Sequence, residues 1–395
     1  MNLYHHQTFQ KIFAINVLSN VSSVIFTFIV PIILYEYTKS AFAMSMMRMM
    51  EFLPNVLLGM LIGVFVDRMN RRLVLQYANA TRIVIAALFV FVLTSQELSL
   101  WTLYVLGFLL SSLGYMIGSA TNAILPQLFD KEYMTDIQSK FAMIYTLISI
   151  IGPGILGAML LWVANDVFLW LFLACHILTT IIVQFIEKVP TPIRQQSTII
   201  QDLKEGIVEL IGNRSLFIQT WTIFFSNFAS SLIIGVLTFY ALDQLHLTKK
   251  ELGLMLTIAA CGGILGAKII HPLRKKLRRG QIYTYSTFAE VFILALMFFA
   301  NQWILLGILL GLRTAISTMT NIVYLALRQE TTPNHLLGRV AGTSSMIMKL
   351  ALPVGLFIGG IWADTLPIPP IFLISALIIL FNVFLLMKVK FTTVE

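Results

Sequence analysis

The sequence contains twelve apolar runs, each close to the length that crosses a lipid bilayer as a helix. A spanning helix needs about 20 mostly apolar residues. Numbered as spans 1 to 12, the runs occupy residues 11–36, 43–65, 73–95, 100–125, 137–163, 167–187, 216–240, 252–273, 282–300, 303–326, 340–362 and 368–388. Because 58% of the residues are apolar, the chain is predicted to be an all-α polytopic membrane protein with twelve transmembrane helices.

The positive charges fall unevenly on the two sides of this predicted membrane. Most of the 27 Lys and Arg residues lie in one set of connections, whereas the opposite loops hold only Lys39, Lys249 and Lys250. Cytoplasmic loops collect Lys and Arg, so we expect both termini in the cytoplasm. The net charge of +9 has the same origin and does not require a nucleic-acid partner.

The spans divide into two halves, which we predict to be two pseudo-symmetric six-helix bundles. The N-terminal bundle covers residues 1–187, a cytoplasmic linker covers 188–215, and the C-terminal bundle covers 216–395. The linker is predicted to form an amphipathic helix on the inner membrane face. Its apolar residues recur at helical spacing, at Ile199, Leu203, Ile207 and Leu210.

An internal repeat supports this division. Similar features recur about 200 residues apart: Gly63 with Gly266 before a basic turn, Thr121-Asn122 closing span 4 with Thr320-Asn321 closing span 10, and Pro153 with Pro353. Each match is weak, but their near-constant separation indicates duplication. Two parallel six-helix halves are typical of alternating-access transporters, whose site lies between the halves near the midplane.

The turn between spans 2 and 3, GVFVDRMNRR, is unusually charged: four of its ten residues are ionic in a chain with only 11% charged residues. It resembles the loop signature of the major facilitator superfamily, G-x-L-a-D-R-x-G-R-K/R. The matching residues are Gly63, Asp67, Arg68, Arg71 and Arg72. Phe65 replaces the Leu, and Asn70 replaces the second Gly. Since Asn tolerates a left-handed backbone, we expect Asn70 to preserve the tight turn.

Two further stretches carry the resemblance. IGPGILG is similar to the antiporter signature of helix 5, with Gly152, Pro153 and Gly157 in place and Leu156 where a paired glycine stands. GRVAGTSS, beginning at Gly338, and the order of the motifs resemble the branch that contains macrolide efflux proteins and the enterobactin exporter.

The resemblance implies that the loop residues form a conformational latch. Asp67 would face the positive end of span 11. Arg68 and Arg71 would pair with acids at the inner ends of spans 4 and 5, Asp130 being the candidate, and so close the cytoplasmic side in the outward-facing state. The alternative is that these residues only anchor the topology, which accounts for the arginines but not for Asp67.

Small polar residues are concentrated in spans 1, 4, 7 and 10. Polar side chains cost free energy against lipid, so they should face a cavity or the bundle interior. In the family that the chain resembles, the same four helices line the cavity. The substrate-cavity candidates are Asn16, Asn20, Tyr104, Tyr115, Asn122, Gln219, Asn227, Arg313, Ser317, Asn321 and, from span 11, Lys349. The alternative for some of them is hydrogen bonding between helices without a cavity.

Few ionisable residues fall inside the spans, and each is a functional candidate. They are Arg48, Glu51, Arg82, His176, Lys268, Glu290, Arg313 and Lys349. Lys268 is near enough to a span end to snorkel, and Arg48 and Glu51 are spaced to neutralise each other. Glu290 must meet a cation, with Arg313 as the candidate, or be protonated. Arg82 and Lys349 either meet the substrate or bond to backbone carbonyls and helix ends.

The sequence favours secondary transport over an enzymatic role. It contains no ATP-binding P-loop and no H-E-x-x-H or G-x-S-x-G motif. A proton is the expected coupling ion, carried by Glu51 or Glu290, with His176 as the next candidate. A membrane-embedded enzyme or scaffold would give no reason for the duplication, and a channel would show a filter-like loop.

The expected partners are a small molecule, protons and the lipid bilayer, and the chain is expected to act as a monomer. No cofactor or metal is expected, because Cys175 and Cys261 lie inside apolar runs. Buried cations outnumber buried acids, and Arg313 is the best placed to meet a carboxylate. This favours export of an acidic organic molecule, such as a carboxylate siderophore or metallophore. The ordinary alternative is a pump for lipophilic cationic drugs.

Overall fold

A computed structural model describes residues 6–95, 99–189, 199–333, 336–389 and 391–393. Their regular structure is helical, and no β-strand occurs in these ranges, so the all-α prediction is confirmed. The α-helices are α1 (Gln7–Thr38), α2 (Ala41–Arg68), α3 (Arg71–Thr94), α4 (Leu100–Leu128), α5 (Met134–Met159), α6 (Asn165–Gln184), α7 (Ile199–Gly212), α8 (Arg214–Phe239), α9 (Lys249–Arg274), α10 (Arg279–Met297), α11 (Trp303–Thr331), α12 (Leu337–Thr365) and α13 (Pro370–Lys388).

Spans 1 to 6 correspond to α1 to α6, and spans 7 to 12 correspond to α8 to α13. In the described ranges, eleven helices are long and apolar enough to cross a membrane. Of the twelve helices that correspond to predicted spans, the one that does not qualify is α10, whose first half, RGQIYTYST, is polar. A count of twelve spans therefore stays a prediction, because α10 does not meet this criterion.

Local sequence signals define where several helices begin. Thr248 and Glu251 form a capping box at the start of α9: the Thr248 hydroxyl accepts from the Glu251 N–H at 3.2 Å, and the Glu251 carboxylate accepts from the Thr248 N–H at 2.8 Å. Asn213 caps α8 by accepting from the Leu216 N–H. These side chains satisfy backbone donors that the first helical turn leaves without partners.

The chain forms two compact units. Unit 1 comprises Met1–Tyr37 and Met50–Gln196, and unit 2 comprises Thr38–Met49 and Ser197–Glu395. The first turns of α2 thus belong to unit 2 and the rest of that helix to unit 1.

In unit 1, α3 packs against both α4 and α6. The core includes Phe9, Ile12, Val66, Ile124 and Val183, all almost completely buried. These residues come from α1, α2, α4 and α6, so the apolar faces of four helices meet there.

Close helix packing organises unit 2. The pairs α8–α12, α9–α11 and α10–α13 are in contact. Gly262 of α9 lies directly against the Gly311 backbone of α11, where no side chain would fit. This is the small-residue packing typical of membrane helices.

Asp364 ties α12 to the start of α2 within unit 2. Its carboxylate accepts hydrogen bonds from the backbone N–H groups of Ala41 at 2.7 Å and Phe42 at 3.2 Å, and from the Ser40 hydroxyl at 2.7 Å. A carboxylate at a helix N-terminus is favourable because it satisfies free N–H groups and faces the positive end of the helix.

Two pairs of equivalent helices are in contact in both units. The pairs α3–α4 and α3–α6 of unit 1 correspond to α10–α11 and α10–α13 of unit 2, as expected for a repeat of six spans. Thr121-Asn122 and Thr320-Asn321, however, do not close their helices. They lie inside α4 and α11, which continue to Leu128 and Thr331.

The linker contains one helix, α7. Its side chains at Ile199 and Leu203, and residues 190–198, fall outside the described part of the chain, so only the C-terminal half of the predicted apolar face can be placed. There Leu210 is buried, whereas Val208 and Ile211 are more than half exposed. Glu205 forms an ion pair with Arg339 of α12, and α7 packs on α12.

Candidate functional site

A cavity of about 620 Å³ lies inside unit 1, between α1 and α4. Its walls are rich in hydroxyl and amide groups, and aromatic rings from α1, α5 and α6 complete them. The polar lining residues are Asn16, Ser19, Ser22, Ser23, Thr27, Ser111, Tyr115, Ser119, Thr121 and Asn122. Pockets of roughly 300–1,000 Å³ are typical of small-molecule sites, so this cavity is large enough for a ligand.

Two charged residues line the same cavity, Glu51 of α2 and Arg82 of α3. Arg82 is the twelfth of the 24 residues of α3, which places it near the middle of a membrane-spanning segment. Its Nε is buried and has no hydrogen-bond partner among the described residues. Gly114 of α4 faces the guanidinium, since a Cβ atom built there would lie 3.4 Å from Nη2.

His176 lies in the interior of unit 1. It is 2% exposed, and its Nε2 is 3.0 Å from the Ser22 hydroxyl, which lines the cavity. Its ring packs edge-on against Phe172, with 4.6 Å between the ring centres. His176 is therefore a hydrogen-bonded interior residue joined to the cavity wall through Ser22.

The remaining predicted cavity residues of unit 1 occupy different places. Asn16, Tyr115 and Asn122 line the cavity. Asn20 donates to the backbone carbonyl of Asn16 at 2.8 Å and to its side-chain oxygen at 3.0 Å. Tyr104 is 6% exposed and belongs to the core.

Unit 2 contains the second pair of membrane charges. Arg313 of α11 donates from Nε to Oε1 of Glu290 in α10 at 3.1 Å. The same guanidinium donates to the Ser230 hydroxyl of α8. The predicted partner of Glu290 is thus present, and the pairing changes the role of Arg313, because a cation neutralised by Glu290 is not the free charge on which the anion preference was based.

The other candidates of unit 2 are dispersed. Asn227 donates to the Met348 carbonyl at 2.9 Å and joins α8 to α12. Gln219 is completely buried, and its amide atoms have no partner in the described part of the chain. Ser317 and Asn321 are exposed, and Lys349 is partly buried.

The charged turn lies between the end of α2 at Arg68 and the start of α3 at Arg71. Asp67 and Arg68 are exposed. Arg72 donates from Nη2 to the Gln184 carbonyl at 3.0 Å. In the ranges that the structure covers, no ion pair joins Arg68 or Arg71 to Asp130. The latch role of Gly63, Asp67 and the arginines remains a prediction.

A tight turn is present at Asn70, since α2 ends at Arg68 and α3 begins at Arg71, but Asn70 does not have a left-handed backbone. Its φ is −64° and its ψ is 114°, an extended conformation. Asn70 instead caps α3, accepting from the Arg72 N–H at 3.1 Å and the Leu73 N–H at 3.3 Å. Its Nδ2 also donates to the Val189 carbonyl at 3.0 Å. Asn suits this position because it accepts from the helix and donates outward at the same time.

The helix 5 motif lies in the interior of α5. Gly152 packs on α1, where a Cβ atom would come within 2.7 Å of Val24 Cγ1. Pro153 is inside the helix, and Gly157 is buried. The motif therefore permits close contact between α5 and α1, the helix that supplies much of the cavity wall.

Sequence reasoning missed Gly114 as a site residue and left Arg82 between two interpretations. The sequence signal that could have indicated this site was a glycine among the small polar residues of span 4, because the preceding span 3 contains a single arginine in its interior. Among the described residues, no group of three or more His, Cys, Asp or Glu side chains could hold a metal ion.

Comparison with known proteins gives the family. The model of the Major Facilitator Superfamily matches residues 12–355 and 220–394. Macrolide efflux protein A of Streptococcus pyogenes is 24% identical over 380 residues, which cover 94% of this chain and 93% of that protein.

Solved transporter structures share the fold. A variant of the nucleoside transporter NupG superposes with a TM-score of 0.79 at 12% identity, covering 96% of this chain and 98% of that one. A bacterial homologue of the iron transporter ferroportin, in an inward-facing state, gives a TM-score of 0.74 at 17% identity and covers 97% and 98%. With its membrane-spanning helices and a family match over most of its length, this multi-pass membrane protein belongs to the major facilitator superfamily of transporters.

Proposed function

We propose that the chain is a proton-coupled secondary active transporter that exports a small amphipathic organic molecule. The observation that carries this proposal is the cavity of unit 1, where a carboxyl group from Glu51, the guanidinium of Arg82 and many hydroxyl and amide groups meet inside membrane-spanning helices. Polar and ionisable side chains at that depth are costly unless they serve a pathway.

The lining of the cavity suits a molecule with both apolar and polar parts. Phe26, Phe141 and Phe172 supply aromatic surface, while the serines and asparagines of α1 and α4 supply hydrogen-bonding groups. Drug-sized ligands bind in pockets with this mixture, in which apolar contacts give affinity and a few polar groups fix orientation. A drug, a macrolide, a siderophore or a metallophore fits this description.

The proposed energy source is the proton gradient. The sequence has no P-loop for ATP, and a carboxyl group in a membrane cavity can take up and release a proton because burial makes its charged form costly. Glu51 is the first candidate, since it lines the cavity. Glu290 is second because its partner, Arg313, stays charged and stabilises the carboxylate. His176 follows.

The direction of transport and the location rest on other grounds. Export is supported by the relative named macrolide efflux protein A. The distribution of Lys and Arg along the sequence supports cytoplasmic termini. The proposed location is the cell membrane, and the proposed oligomeric state is a monomer.

The test begins with a screen of thermal stabilisation of the purified chain by small molecules, including a macrolide. Each stabilising compound is then offered to proteoliposomes with an imposed pH difference. We expect at least one to accumulate against its gradient and a protonophore to abolish that accumulation. Accumulation that survives the protonophore, or no accumulation of any stabilising compound, would reject proton-coupled transport.

A further inference from the structure

We propose that Arg82 binds an anionic group, in the first instance a carboxylate, of a small molecule held in the cavity of unit 1. That the bound molecule is also the transported one rests on the proposed function. The binding itself can be measured without transport.

At the position of Arg82, a positive charge with a purely structural role would cost free energy. It occupies the middle of α3, where a guanidinium cannot reach either membrane surface along its own stem. Arginine does not lose its proton in proteins, so the positive charge must be matched by another group. A charge at this depth is costly without a partner.

No protein group in the described part of the chain supplies that partner. Across the described ranges, Arg82 forms no ion pair and donates no hydrogen bond to a carboxylate or a backbone carbonyl, and its Nε is buried and unsatisfied. The alternative in which Arg82 bonds to backbone carbonyls and helix ends is therefore not what this structure contains. A charge without a matching group is costly at this depth, and Arg82 lines the cavity, which points to an acceptor brought by a ligand.

The surroundings leave room for such a ligand. Gly114 keeps α4 free of a side chain beside Nη2, with the position of its missing Cβ at 3.4 Å. The guanidinium lines the cavity together with Ser22 and Tyr115. His176 contacts Ser22, which lines the same cavity. Glu51 lines the cavity as well.

The chemistry of the Arg82 guanidinium indicates which class of ligand it would bind. The planar fork of a guanidinium binds a carboxylate through two parallel hydrogen bonds. Aromatic rings on the cavity wall, including Phe141 and Phe172, would hold an apolar part of the same molecule. The expected ligand is thus an amphipathic monocarboxylate. Arg313 is not the corresponding group in unit 2, because Glu290 already neutralises it.

The test uses the purified full-length chain in phosphatidylcholine nanodiscs. Its probes are a 4-alkylbenzoate, the matching methyl ester and the matching benzylamine, with affinities measured by calorimetry. We expect the benzoate to bind at least about tenfold more tightly than the ester, as charge-assisted hydrogen bonds allow. Arg82→Gln should remove this preference while ester binding persists, and Arg82→Lys should retain part of it.

Two further variants distinguish loss of the proposed site from a general loss of charge and from misfolding. Lys268→Gln, which removes an exposed cation of unit 2, should leave the preference unchanged. If Arg82→Gln does not fold, Gly114→Val provides the second test, because its side chain would displace the guanidinium and should lower benzoate affinity more than ester affinity.

Three results would overturn the proposal: a wild-type chain that does not prefer the benzoate, an unchanged preference in the folded Arg82→Gln variant, or displacement of the benzoate by added phosphatidylglycerol, which would assign the site to a lipid phosphate. If benzoate binds as expected but no compound is transported, the proposed function fails and the anion site stands.

Discussion

Arg313 donates from its Nε to Oε1 of Glu290 at 3.1 Å, and this ion pair is enclosed by the helices of unit 2. Arg313 is 9% exposed and Glu290 is 6% exposed. The two opposite charges neutralise each other between α10 and α11. The pair therefore joins the two helices and leaves no net charge for a ligand to neutralise.

Removing either partner should destabilise unit 2, but by different amounts. Glu290→Gln leaves a guanidinium that cannot become neutral, and we expect a loss of about 3 kcal/mol. Arg313→Gln leaves a carboxyl group that can take up a proton, so its cost should be smaller. The double variant should recover most of the loss. Chemical denaturation in detergent measures all three, and equal stability of wild type and Glu290→Gln would contradict the account.

Asn70 should stabilise the chain through its cap on α3. Asn70→Ala removes the acceptor for two backbone N–H groups and should cost about 1 kcal/mol, whereas Asn70→Gly should cost only a few tenths. Thermal unfolding of the purified variants measures both. A glycine variant more stable than wild type would indicate that the position needs a left-handed backbone after all.

The charged turn should matter for transport rather than for insertion. Asp67 is exposed in this structure, and the family resemblance assigns it to a contact that closes one side of the transporter. We expect Asp67→Asn and Arg71→Ala to reduce transport severalfold at normal membrane levels. Arg278→Ala, in the basic turn of unit 2, is a matched control for loss of one positive charge. If Asp67→Asn and Arg71→Ala both transport at the wild-type rate, the latch hypothesis is wrong.

Asp364 should control the opening of the first turn of α2. Asp364→Ala leaves the Ala41 and Phe42 N–H groups without their carboxylate partner. We expect hydrogen exchange of these amides to accelerate about fivefold, equivalent to ~1 kcal/mol of local stability. Asp364→Asn, which keeps an acceptor but loses the charge, should show a smaller effect. Unchanged exchange at Ala41 and Phe42 would show that the first turn is held by packing alone.

Hydropathy predicted most of the helices because the thickness of a bilayer sets the length of the apolar run that crosses it. It was least decisive at α10, whose polar first turns and Glu290 lower its hydropathy. The partner of Glu290 was predictable as well, since a buried carboxyl group needs a cation and few were available.

The sites depended on contacts that sequence spacing does not encode. Asn70 occupies a position where the related signature has glycine, and only the backbone shows that it caps a helix. Arg82 could equally have met a backbone carbonyl or a cavity, and only the structure places it at the cavity beside Gly114 of the neighbouring helix. Arg313 looked like the free cation until the structure showed its distance to Glu290.

The central claim, proton coupling through the cavity of unit 1, is tested most directly by measuring proton movement itself. Proteoliposomes containing a pH-sensitive dye are given a substrate identified in the stabilisation screen, with no imposed pH difference. We expect wild type to move protons in the direction opposite to the substrate. Glu51→Gln should still exchange labelled for unlabelled substrate but move no protons. Substrate-driven proton movement that persists in Glu51→Gln, or uptake by wild type without any change in internal pH, would contradict it.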